Sequence, residues 1–332
     1  MMHWAGFLLC SALIIYSGIR LSRYGDIIAE KSGLGRTWVG VVLVATVTSL
    51  PELVSSISGV AMNDAPDIAV GNLVGACSVN LLIFGLLDAV HRSGPLSARA
   101  RQGHILSAGV GIVMMCGVVS GIQLRDSVVP LGWIGPYSLV FLLGYLIAMR
   151  VIYFYEQKNL RNYMEEVAER SPFAGIPLKQ ALARFGINAA VVVGAAFFLP
   201  GIGVGLAEQT GLGQTFVGTL FIAVATTLPE IVVSVSAVRM GAVDLAIGNL
   251  FGSNLFNIAI LGIADLFFPK GPLLSMVSSS HSVMGHAAIA MSGLAIVGLT
   301  YRAERKKLFL AWDAICIVLV YCVSVMLLYS LH

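Results

Sequence analysis

Charged side chains are scarce in this sequence. Asp, Glu, Lys and Arg make up 11% of its 332 residues, whereas hydrophobic residues make up 58%. A typical soluble domain carries about 25% charged residues, so this composition excludes an ordinary soluble protein. It predicts an integral membrane protein that crosses the bilayer several times.

Cysteine and histidine are also sparse, and neither forms a recognisable metal motif. The five cysteines lie scattered in apolar runs, so we interpret them as buried packing residues rather than as a zinc site or a disulfide framework. His281 and His286 flank an apolar segment, and we expect neither to have a carboxylate partner. No Gly-rich loop is followed by Lys-Ser or Lys-Thr, so the sequence shows no phosphate-binding loop that could support ATP-driven pumping.

Long apolar segments are the dominant pattern. A helix needs about 20 apolar residues to cross about 30 Å of hydrocarbon, and about ten segments of that length fit the sequence. The first has no basic region before it and no A-x-A cleavage pattern, so we interpret it as a membrane span rather than a signal peptide. The predicted spans are 4–20, 37–61, 66–88, 104–121, 128–150, 181–204, 214–238, 243–267, 283–300 and 309–330.

The positions of the basic residues test this count independently, because Lys and Arg accumulate in cytoplasmic loops. Of the 20 basic residues, all but Arg125 and Lys270 fall on one side of the predicted membrane. A wrong number of spans would distribute the basic residues over both sides of the membrane. The pattern predicts that both termini lie outside the cytoplasm and that 151–180 is the main cytoplasmic connector.

Two segments of the sequence repeat each other. Gly33 begins the stretch GLGRTWVGVVLVATVTSLPELVSSISGV, which matches GLGQTFVGTLFIAVATTLPEIVVSVSAV beginning at Gly211. The match continues from PDIAVGNLVGACSVNLLIFGLLD at Pro66 to VDLAIGNLFGSNLFNIAILGIAD at Val243. Repeat 1 therefore covers about 33–88 and repeat 2 about 211–265.

The two repeats enter the predicted membrane from opposite sides, since repeat 1 starts with span two and repeat 2 with span seven. The predicted fold is therefore an all-α polytopic membrane protein with about ten transmembrane helices, built from two inverted five-helix repeats. The halves are 1–150 and 181–332. Inverted repeats with interrupted helices are typical of secondary transporters, whose sites lie near the bilayer midplane.

A proline followed by a glutamate interrupts each repeat, in TSLPE at 48–52 and TTLPE at 226–230. Proline has no N–H, and its ring clashes with the carbonyl four residues earlier, so Pro51 and Pro229 each free a helical carbonyl. Such backbone survives at membrane depth only inside protein or beside a cavity. The motif therefore predicts a broken helix that lines a polar site.

Glu52 and Glu230 would be costly at this depth without a positive partner, and neither helix offers Lys or Arg nearby. The missing partner is therefore predicted to be a transported cation. Helical spacing places hydroxyl groups beside both carboxylates, and an all-oxygen set suits a hard ion such as Ca²⁺. These hydroxyls belong to Thr48, Ser49, Ser55 and Ser56 in repeat 1 and to Thr226, Thr227 and Ser234 in repeat 2.

The next helix of each repeat carries a second polar set, in GNLVGACSVN and GNLFGSNLFN. Each contains a Gly-xxx-Gly pair that permits close helix packing and an asparagine further along. Packing alone would explain one such helix, but its duplication beside the Pro-Glu motifs favours a second wall of the same site. The residues are Gly71, Gly75 and Asn80 in repeat 1 and Gly248, Gly252 and Asn257 in repeat 2.

In these motifs the chain resembles the cation/calcium antiporter superfamily, and most closely its prokaryotic sodium/calcium exchangers. The resemblance implies a secondary antiporter that exchanges Ca²⁺ for Na⁺ by alternating access. It implies that Glu52 and Glu230 bind Ca²⁺ and share Na⁺. The other ligands that it implies are Thr48, Ser49, Thr226 and Thr227, the carbonyls of Ala45 and Ala223, and the second-wall residues Ser253, Asn80 and Asn257.

Ala76-Cys77 departs from the family pattern, which usually has Ser-Asn here and which repeat 2 keeps as Ser253-Asn254. One sodium-ligating hydroxyl is therefore missing. Some relatives that use potassium carry Asp where this chain has Asn257. These departures leave the counter-ion open, and a proton-coupled antiporter of Ca²⁺ or another divalent cation is the alternative.

Other function classes fit less well. An intramembrane enzyme would need a nucleophile, a histidine base or a metal triad beside the glutamates, and the sequence shows none. A channel needs a continuous pore rather than an occluding site. We therefore expect a protein of the prokaryotic inner membrane, in contact with lipid, that transports Ca²⁺ and Na⁺ and needs no cofactor, nucleic acid or obligate protein partner.

Overall fold

The computed structural model describes residues 2–62, 64–92, 94–127, 129–164, 176–210, 226–306 and 309–330. Within these ranges the regular structure is helical, and the β-structure is limited to an isolated bridge between Leu131 and Ile134. The α-helices are Met2–Ser32, Arg36–Trp38, Ala45–Thr48, Leu50–Ala61, Pro66–Val90, Leu96–Arg99, Gly103–Gln123, Pro136–Met164, Leu178–Thr210, Leu228–Arg239, Val243–Leu266, His281–Tyr301 and Trp312–Ser330. A π-helix covers Val39–Val44, and short 3₁₀-helices cover Arg125–Ser127 and Leu273–Ser275.

Eight helices in the described part of the chain are long and apolar enough to cross a membrane. A bent pair, Arg36–Thr48 with Leu50–Ala61, makes a ninth candidate span. The predicted all-α membrane fold is therefore confirmed. The seventh predicted span, 214–238, lies partly outside the described residues, and its described end forms helix Leu228–Arg239. The count of ten spans stays a prediction.

Several helix ends differ from the predicted ends of the apolar segments. Helix Met2–Ser32 continues past residue 20, and helix Pro136–Met164 continues into the predicted connector. Arg, Lys and Glu are good helix formers, so a helix does not stop where its apolar segment stops. Helix Pro136–Met164 also starts later than the predicted residue 128, because Pro130, Gly132 and Gly135 disfavour a helix there.

The chain divides into two compact units, each made of two separate stretches. The first unit contains Met1–Pro51 and Met149–Gly252, and the second contains Glu52–Ala148 and Ser253–His332. Each unit takes residues from both repeats. The division of the sequence into halves at 151–180 stays a prediction.

In the first unit, helix Met2–Ser32 packs along helix Leu178–Thr210 and against helix Leu228–Arg239. Gly18 permits this second contact, because a Cβ there would lie 2.8 Å from Cγ1 of Val232. The hydroxyl of Ser22 then donates a hydrogen bond of 2.7 Å to the carbonyl of Val233. This packing holds the helix that carries Glu230.

Glycines bring two backbones of the first unit into direct contact. A Cβ on Gly248 would lie 2.8 Å from the carbonyl oxygen of Thr37, and one on Gly252 would lie 2.3 Å from that of Val41. The predicted close packing at the Gly-xxx-Gly pair of repeat 2 is therefore confirmed. For repeat 1, a Cβ on Gly71 would lie 2.9 Å from Cε1 of His281, and the segment equivalent to Val41 lies outside the described residues.

In the second unit, helix His281–Tyr301 packs against Gly103–Gln123, Pro66–Val90 and Trp312–Ser330. His281 lies in the first turn of its helix, and its Nε2 is 2.9 Å from Oδ1 of Asp67. The same carboxylate oxygen accepts a 2.7 Å hydrogen bond from the backbone N–H of Ser278. The expectation that His281 has no carboxylate partner is therefore wrong, because a contact between residues so far apart in sequence leaves no local pattern.

Asp88 ties the C-terminal end of helix Pro66–Val90 to two other segments. Its Oδ1 accepts a 2.6 Å hydrogen bond from the N–H of Leu96, and its Oδ2 accepts one of 2.6 Å from the N–H of Ala311. Asp88 is 3% exposed. One carboxylate thus fixes both the following loop and the residue before helix Trp312–Ser330.

Asp265, the counterpart of Asp88 in repeat 2, makes the same type of contact. Its Oδ1 accepts a 2.6 Å hydrogen bond from the N–H of Leu273, and its Oδ2 accepts one of 2.7 Å from the N–H of Gly135. Ser138 donates a further hydrogen bond to Oδ2. The duplicated aspartate therefore serves the same purpose twice: it joins a loop to the start of another helix.

The cysteines divide into two groups. Cys10 and Cys77 are buried, as predicted, whereas Cys116 and Cys322 are exposed and Cys316 is partly exposed. The prediction of burial is wrong for these last three, which lie on candidate membrane spans. Cysteine behaves as a small apolar residue, so apolar sequence alone does not separate a packed face from an exterior one.

Candidate cation site

Both Pro-Glu motifs lie where one helical segment ends and the next begins. In repeat 1, helix Ala45–Thr48 ends and helix Leu50–Ala61 begins two residues later, with a 44° bend between the two parts. In repeat 2, Thr227 is the N-cap of helix Leu228–Arg239. The predicted interruption before each glutamate is therefore observed in the described residues of both repeats.

A π-helix precedes the break in repeat 1. It covers the six residues Val39–Val44 and leads directly into helix Ala45–Thr48. Such π segments are uncommon and occur frequently at functional sites. The sequence carries no recognisable signal for this one.

The predicted ligands that the structure describes are all buried. Each is at most 1% exposed, including both carboxylates. A buried carboxylate costs several kcal/mol unless a charge or hydrogen bonds compensate it. The described set is Glu52, Glu230, Thr48, Ser49, Thr226, Thr227, Asn80, Asn257, Ser253 and Ala45, and Ala223 lies outside the described residues.

In the first unit, the two Pro-Glu motifs contact each other. The hydroxyl of Ser49 donates a 3.1 Å hydrogen bond to Oε1 of Glu230. Ser49 ends the helical segment before Pro51, and Glu230 lies in the first turn of helix Leu228–Arg239. The hydroxyl of repeat 1 therefore lies directly beside the carboxylate of repeat 2.

Asn249 is a site residue that the sequence analysis missed. Its Oδ1 lies 3.1 Å from the hydroxyl of Thr48, and its Nδ2 donates a 3.0 Å hydrogen bond to the hydroxyl of Ser234. The signal was present, since Asn249 belongs to the Gly-Asn pair that recurs at Gly71-Asn72. Only its pairing with Thr48, two hundred residues away, shows that it holds a predicted ligand.

The hydroxyl of Thr48 has a single proton, and both of its hydrogen-bond partners among the described residues are acceptors. These are Oδ1 of Asn249, at 3.1 Å, and the carbonyl oxygen of Ala45, at 3.2 Å. The hydroxyl proton therefore points toward Asn249 and Ala45, and the lone pairs of the hydroxyl oxygen point away from these two acceptors. Thr48 therefore donates toward Asn249 and Ala45 and keeps its lone pairs available, as a cation ligand requires.

The carbonyl of Ala45 already accepts two hydrogen bonds. They come from the hydroxyl of Thr48, at 3.2 Å, and from the backbone N–H of Ser49, at 3.0 Å. A cation bound to this oxygen would share it with those two donors. The role of Ala45 as a ligand stays a prediction.

In the second unit, polar residues of the two second-wall helices contact each other. Nδ2 of Asn80 donates a 3.1 Å hydrogen bond to Oδ1 of Asn254. The thiol of Cys77 donates a 3.7 Å hydrogen bond to the backbone carbonyl of Asn254.

Three oxygen atoms in this part of the second unit accept no hydrogen bond from any described residue. They are Oδ1 of Asn80, Oδ1 of Asn257 and Oγ of Ser253. Buried polar atoms are nearly always paired, so unpaired oxygens require an explanation. A hard cation binds such neutral oxygens together with carboxylate oxygens, and the donor set therefore fits Ca²⁺ or Na⁺.

The family model described as "Sodium/calcium exchanger protein" matches residues 2–154 and 180–330. The chain belongs to this family. The family consists of membrane transporters, and the predicted class of sodium/calcium antiporter is therefore confirmed.

Similar proteins agree with this assignment. The exchanger is 28% identical to the inner membrane protein YrbG of Escherichia coli over 276 residues, 82% of each chain. It is 27% identical to the sodium/calcium exchanger MaX1 of Methanosarcina acetivorans over 334 residues, 91% of each chain. A solved structure of the sodium-calcium exchanger NCX_Mj has a TM-score of 0.74 at 22% identity and covers 98% of this chain and 97% of its own. That likeness shows the fold.

Proposed function

We propose that the exchanger moves Ca²⁺ against Na⁺ across a prokaryotic inner membrane, with Glu52 and Glu230 as its charged ligands. The observation that carries the proposal is a buried carboxylate directly after a helix break in each of two repeats. The names of the relatives support the ions and the location, since MaX1 is a sodium/calcium exchanger and YrbG an inner membrane protein.

The charge of the site explains why transport would be an exchange. Two carboxylates neutralise one Ca²⁺, and a dry site that kept two uncompensated charges would be strongly destabilised. The carboxylates therefore have to be reloaded with other cations before the site can be occluded again. Binding of Na⁺ to the same oxygens supplies that charge, and no organic cofactor takes part.

Neutral oxygens would complete the coordination. Ca²⁺ takes about six to eight oxygen ligands, and two carboxylates supply at most four. Hydroxyl and amide oxygens can supply the remainder, and Thr48 donates its proton to Asn249 and so keeps its lone pairs available. These neutral ligands are Thr48, Ser49, Thr226, Thr227, Ser253, Asn80 and Asn257, with the carbonyls of Ala45 and Ala223 as further candidates.

Transport by the purified protein tests which ion is exchanged for Ca²⁺. Proteoliposomes containing the exchanger would be given an outward Na⁺ gradient, an outward H⁺ gradient or neither, and the uptake of radiolabelled Ca²⁺ would be followed. We expect uptake with the Na⁺ gradient alone. Uptake that ignores Na⁺ and follows the H⁺ gradient would contradict the proposal and establish the proton-coupled alternative, which the missing hydroxyl at Ala76 leaves chemically reasonable.

The orientation in the membrane is a separate prediction. The division of the basic residues places residue 158 in the cytoplasm and both termini outside it. Single cysteines at Ala5, Lys158 and Ser330, all exposed, would be introduced with Cys116, Cys316 and Cys322 changed to serine. A membrane-impermeant thiol reagent added to intact cells should label positions 5 and 330 but not 158. Labelling of 158 together with a terminus would refute this topology.

Ser253 and Ala76 form a matched pair for testing the Na⁺ ligands. They occupy equivalent positions in the two repeats, but only Ser253 has a hydroxyl, and it is buried. A lost neutral ligand weakens a monovalent site more than a site held by two carboxylates. We expect Ser253→Ala to raise the Na⁺ concentration for half-maximal Ca²⁺ flux about tenfold, with a smaller change in Ca²⁺ affinity.

The opposite substitution in repeat 1 provides the control. Ala76→Ser adds the missing hydroxyl, so it should lower the Na⁺ concentration for half-maximal flux. Na⁺ titrations of Ca²⁺ flux at fixed pH measure both effects. If neither substitution shifts the Na⁺ dependence, positions 76 and 253 do not ligate Na⁺, even though the exchange reaction itself remains.

A further inference from the structure

We propose that Asn249 is a positioning residue for ion exchange. It takes the hydroxyl proton of Thr48 and thereby leaves the carbonyl oxygen of Ala45 free to bind Na⁺ together with the hydroxyl oxygen of Thr48. The inference rests on the proposed function, because it concerns how two of the proposed ligands are prepared for an ion. Asn249 is not itself one of those ligands, and all three residues belong to the first unit.

The hydroxyl of Thr48 lies between two acceptors. Its oxygen is 3.1 Å from Oδ1 of Asn249 and 3.2 Å from the carbonyl oxygen of Ala45, but a hydroxyl has only one proton to donate. A carbonyl oxygen has two lone pairs, and that of Ala45 already accepts the backbone N–H of Ser49. A proton given to Ala45 therefore fills this oxygen, whereas a proton given to Asn249 leaves one of its lone pairs for a cation.

The amide of Asn249 is held at its other end by Ser234. Nδ2 donates a 3.0 Å hydrogen bond to the hydroxyl of Ser234, and both residues are fully buried. With Nδ2 engaged there, Oδ1 faces Thr48 as an acceptor. In the opposite orientation Nδ2 would occupy a lone pair of the Thr48 hydroxyl, whose proton would then stay on Ala45. The orientation in the structure is thus the one that prepares both oxygens for a cation.

The backbone of Asn249 is packed against the segment that leads to Ala45. A Cβ on Gly40 would lie 3.1 Å from the backbone nitrogen of Asn249 and 2.6 Å from the carbonyl oxygen of Leu245. Gly40 belongs to the π-helix Val39–Val44, which continues directly into Ala45. Direct backbone packing therefore places the acceptor beside the hydroxyl that it serves.

Na⁺ depends on these neutral oxygens more than Ca²⁺ does. Electrostatic attraction to the two carboxylates is proportional to the charge of the ion, so a monovalent ion gains less from them. Two oxygens 3.2 Å apart can bind one ion at the distances of about 2.3–2.6 Å found for Ca²⁺, and Na⁺ has nearly the same size. Loss of the acceptor at Asn249 is therefore expected to weaken Na⁺ binding more than Ca²⁺ binding.

Substitution of Asn249 tests the role of its oxygen. Asn249→Leu keeps the approximate size but removes the acceptor, so it should raise the Na⁺ concentration for half-maximal Ca²⁺ flux about tenfold. The maximal flux at saturating Na⁺ should change much less. Asn249→Asp retains an acceptor toward Thr48 and should not raise the Na⁺ concentration. Na⁺ titrations of radiolabelled Ca²⁺ uptake into proteoliposomes measure these values.

A double-mutant cycle with Thr48 separates positioning from a general structural effect. Thr48→Val removes the hydroxyl that Asn249 serves, so Asn249→Leu should have little further effect on the Na⁺ dependence in that background. Asn188→Leu provides a matched control. Asn188 is a buried asparagine of the same unit, and its Nδ2 donates a 2.7 Å hydrogen bond to the carbonyl of Arg184. Its substitution should leave the Na⁺ dependence unchanged.

Ser234→Ala tests the orientation of the amide without changing Asn249. It removes the acceptor of Nδ2, so the amide should turn and donate to Thr48 instead, since a buried donor without an acceptor is costly. We expect the Na⁺ concentration for half-maximal flux to rise in this variant as well. Ser234→Ala also keeps the proposal testable if Asn249→Leu does not fold.

The outcomes separate this inference from the proposed function. Equal rises in Asn249→Leu and Asn249→Asp, or additive effects of Asn249→Leu and Thr48→Val, would overturn the positioning role. An unchanged Na⁺ dependence in both Asn249→Leu and Ser234→Ala would do the same. Failure of the proposed function would instead show as an absence of Na⁺-driven Ca²⁺ uptake in the wild type.

Discussion

Glu52→Gln and Glu230→Gln are each expected to abolish Ca²⁺ exchange while leaving a folded protein. Glutamine has the size of glutamate but no charge, so a bound Ca²⁺ would keep a net positive charge in a site of low dielectric constant. Removing one partner of a buried charge pair costs about 3–5 kcal/mol, which corresponds to a loss of Ca²⁺ affinity of at least about 100-fold. Radiolabelled Ca²⁺ uptake into proteoliposomes measures the effect.

Glu156 provides a matched control for this prediction. It is also a glutamate and is also 1% exposed, but it lies on helix Pro136–Met164, away from both Pro-Glu motifs in the sequence. Glu156→Gln should retain Ca²⁺ exchange. Near-normal flux in both purified Glu52→Gln and Glu230→Gln would eliminate the carboxylates as the charged ligands.

Local chemistry explains which features could be predicted from the sequence. Proline cannot donate a backbone hydrogen bond, so the breaks before Glu52 and Glu230 follow from five-residue motifs. Long apolar segments predict membrane helices, and the Gly-xxx-Gly pair at Gly248 predicts backbone contact. Each of these signals lies within one element and needs no knowledge of the neighbouring element.

Contacts between distant residues could not be predicted in this way. Thr48 and Asn249, or Asp67 and His281, are separated by about two hundred residues. Each of those residues has a satisfactory local explanation, such as a helix surface or a helix start. Only the folded chain shows that the side chain of Asn249 accepts the hydroxyl proton of Thr48.

Repetition of the sequence does not guarantee repetition of the contacts. Asn249 bonds to Ser234, whereas the equivalent Asn72 has an Nδ2 without an acceptor in the described structure. This difference, together with Ala76-Cys77, gives the two repeats different ligand chemistry, so equivalent substitutions are expected to have unequal effects on transport.

The second large effect is expected for stability, at Asp265. Asp265→Ala removes the acceptor for the backbone N–H groups of Gly135 and Leu273 and for the hydroxyl of Ser138. Each buried donor left without an acceptor costs about 1–3 kcal/mol, so the loss of three acceptor contacts should cost roughly 3–9 kcal/mol of stability. Thermal unfolding of the purified protein in detergent should show a clearly lowered midpoint.

Two further substitutions make this prediction specific to the buried carboxylate. Asp265→Asn keeps one acceptor oxygen and should give an intermediate midpoint. Asp64→Asn removes a carboxylate that pairs with Lys270, but both side chains are more than half exposed, and exposed ion pairs contribute at most about 1 kcal/mol. Its midpoint should therefore remain near that of the wild type. If Asp265→Ala and Asp64→Asn unfold at the same temperature, the hydrogen bonds of Asp265 do not hold the second unit together.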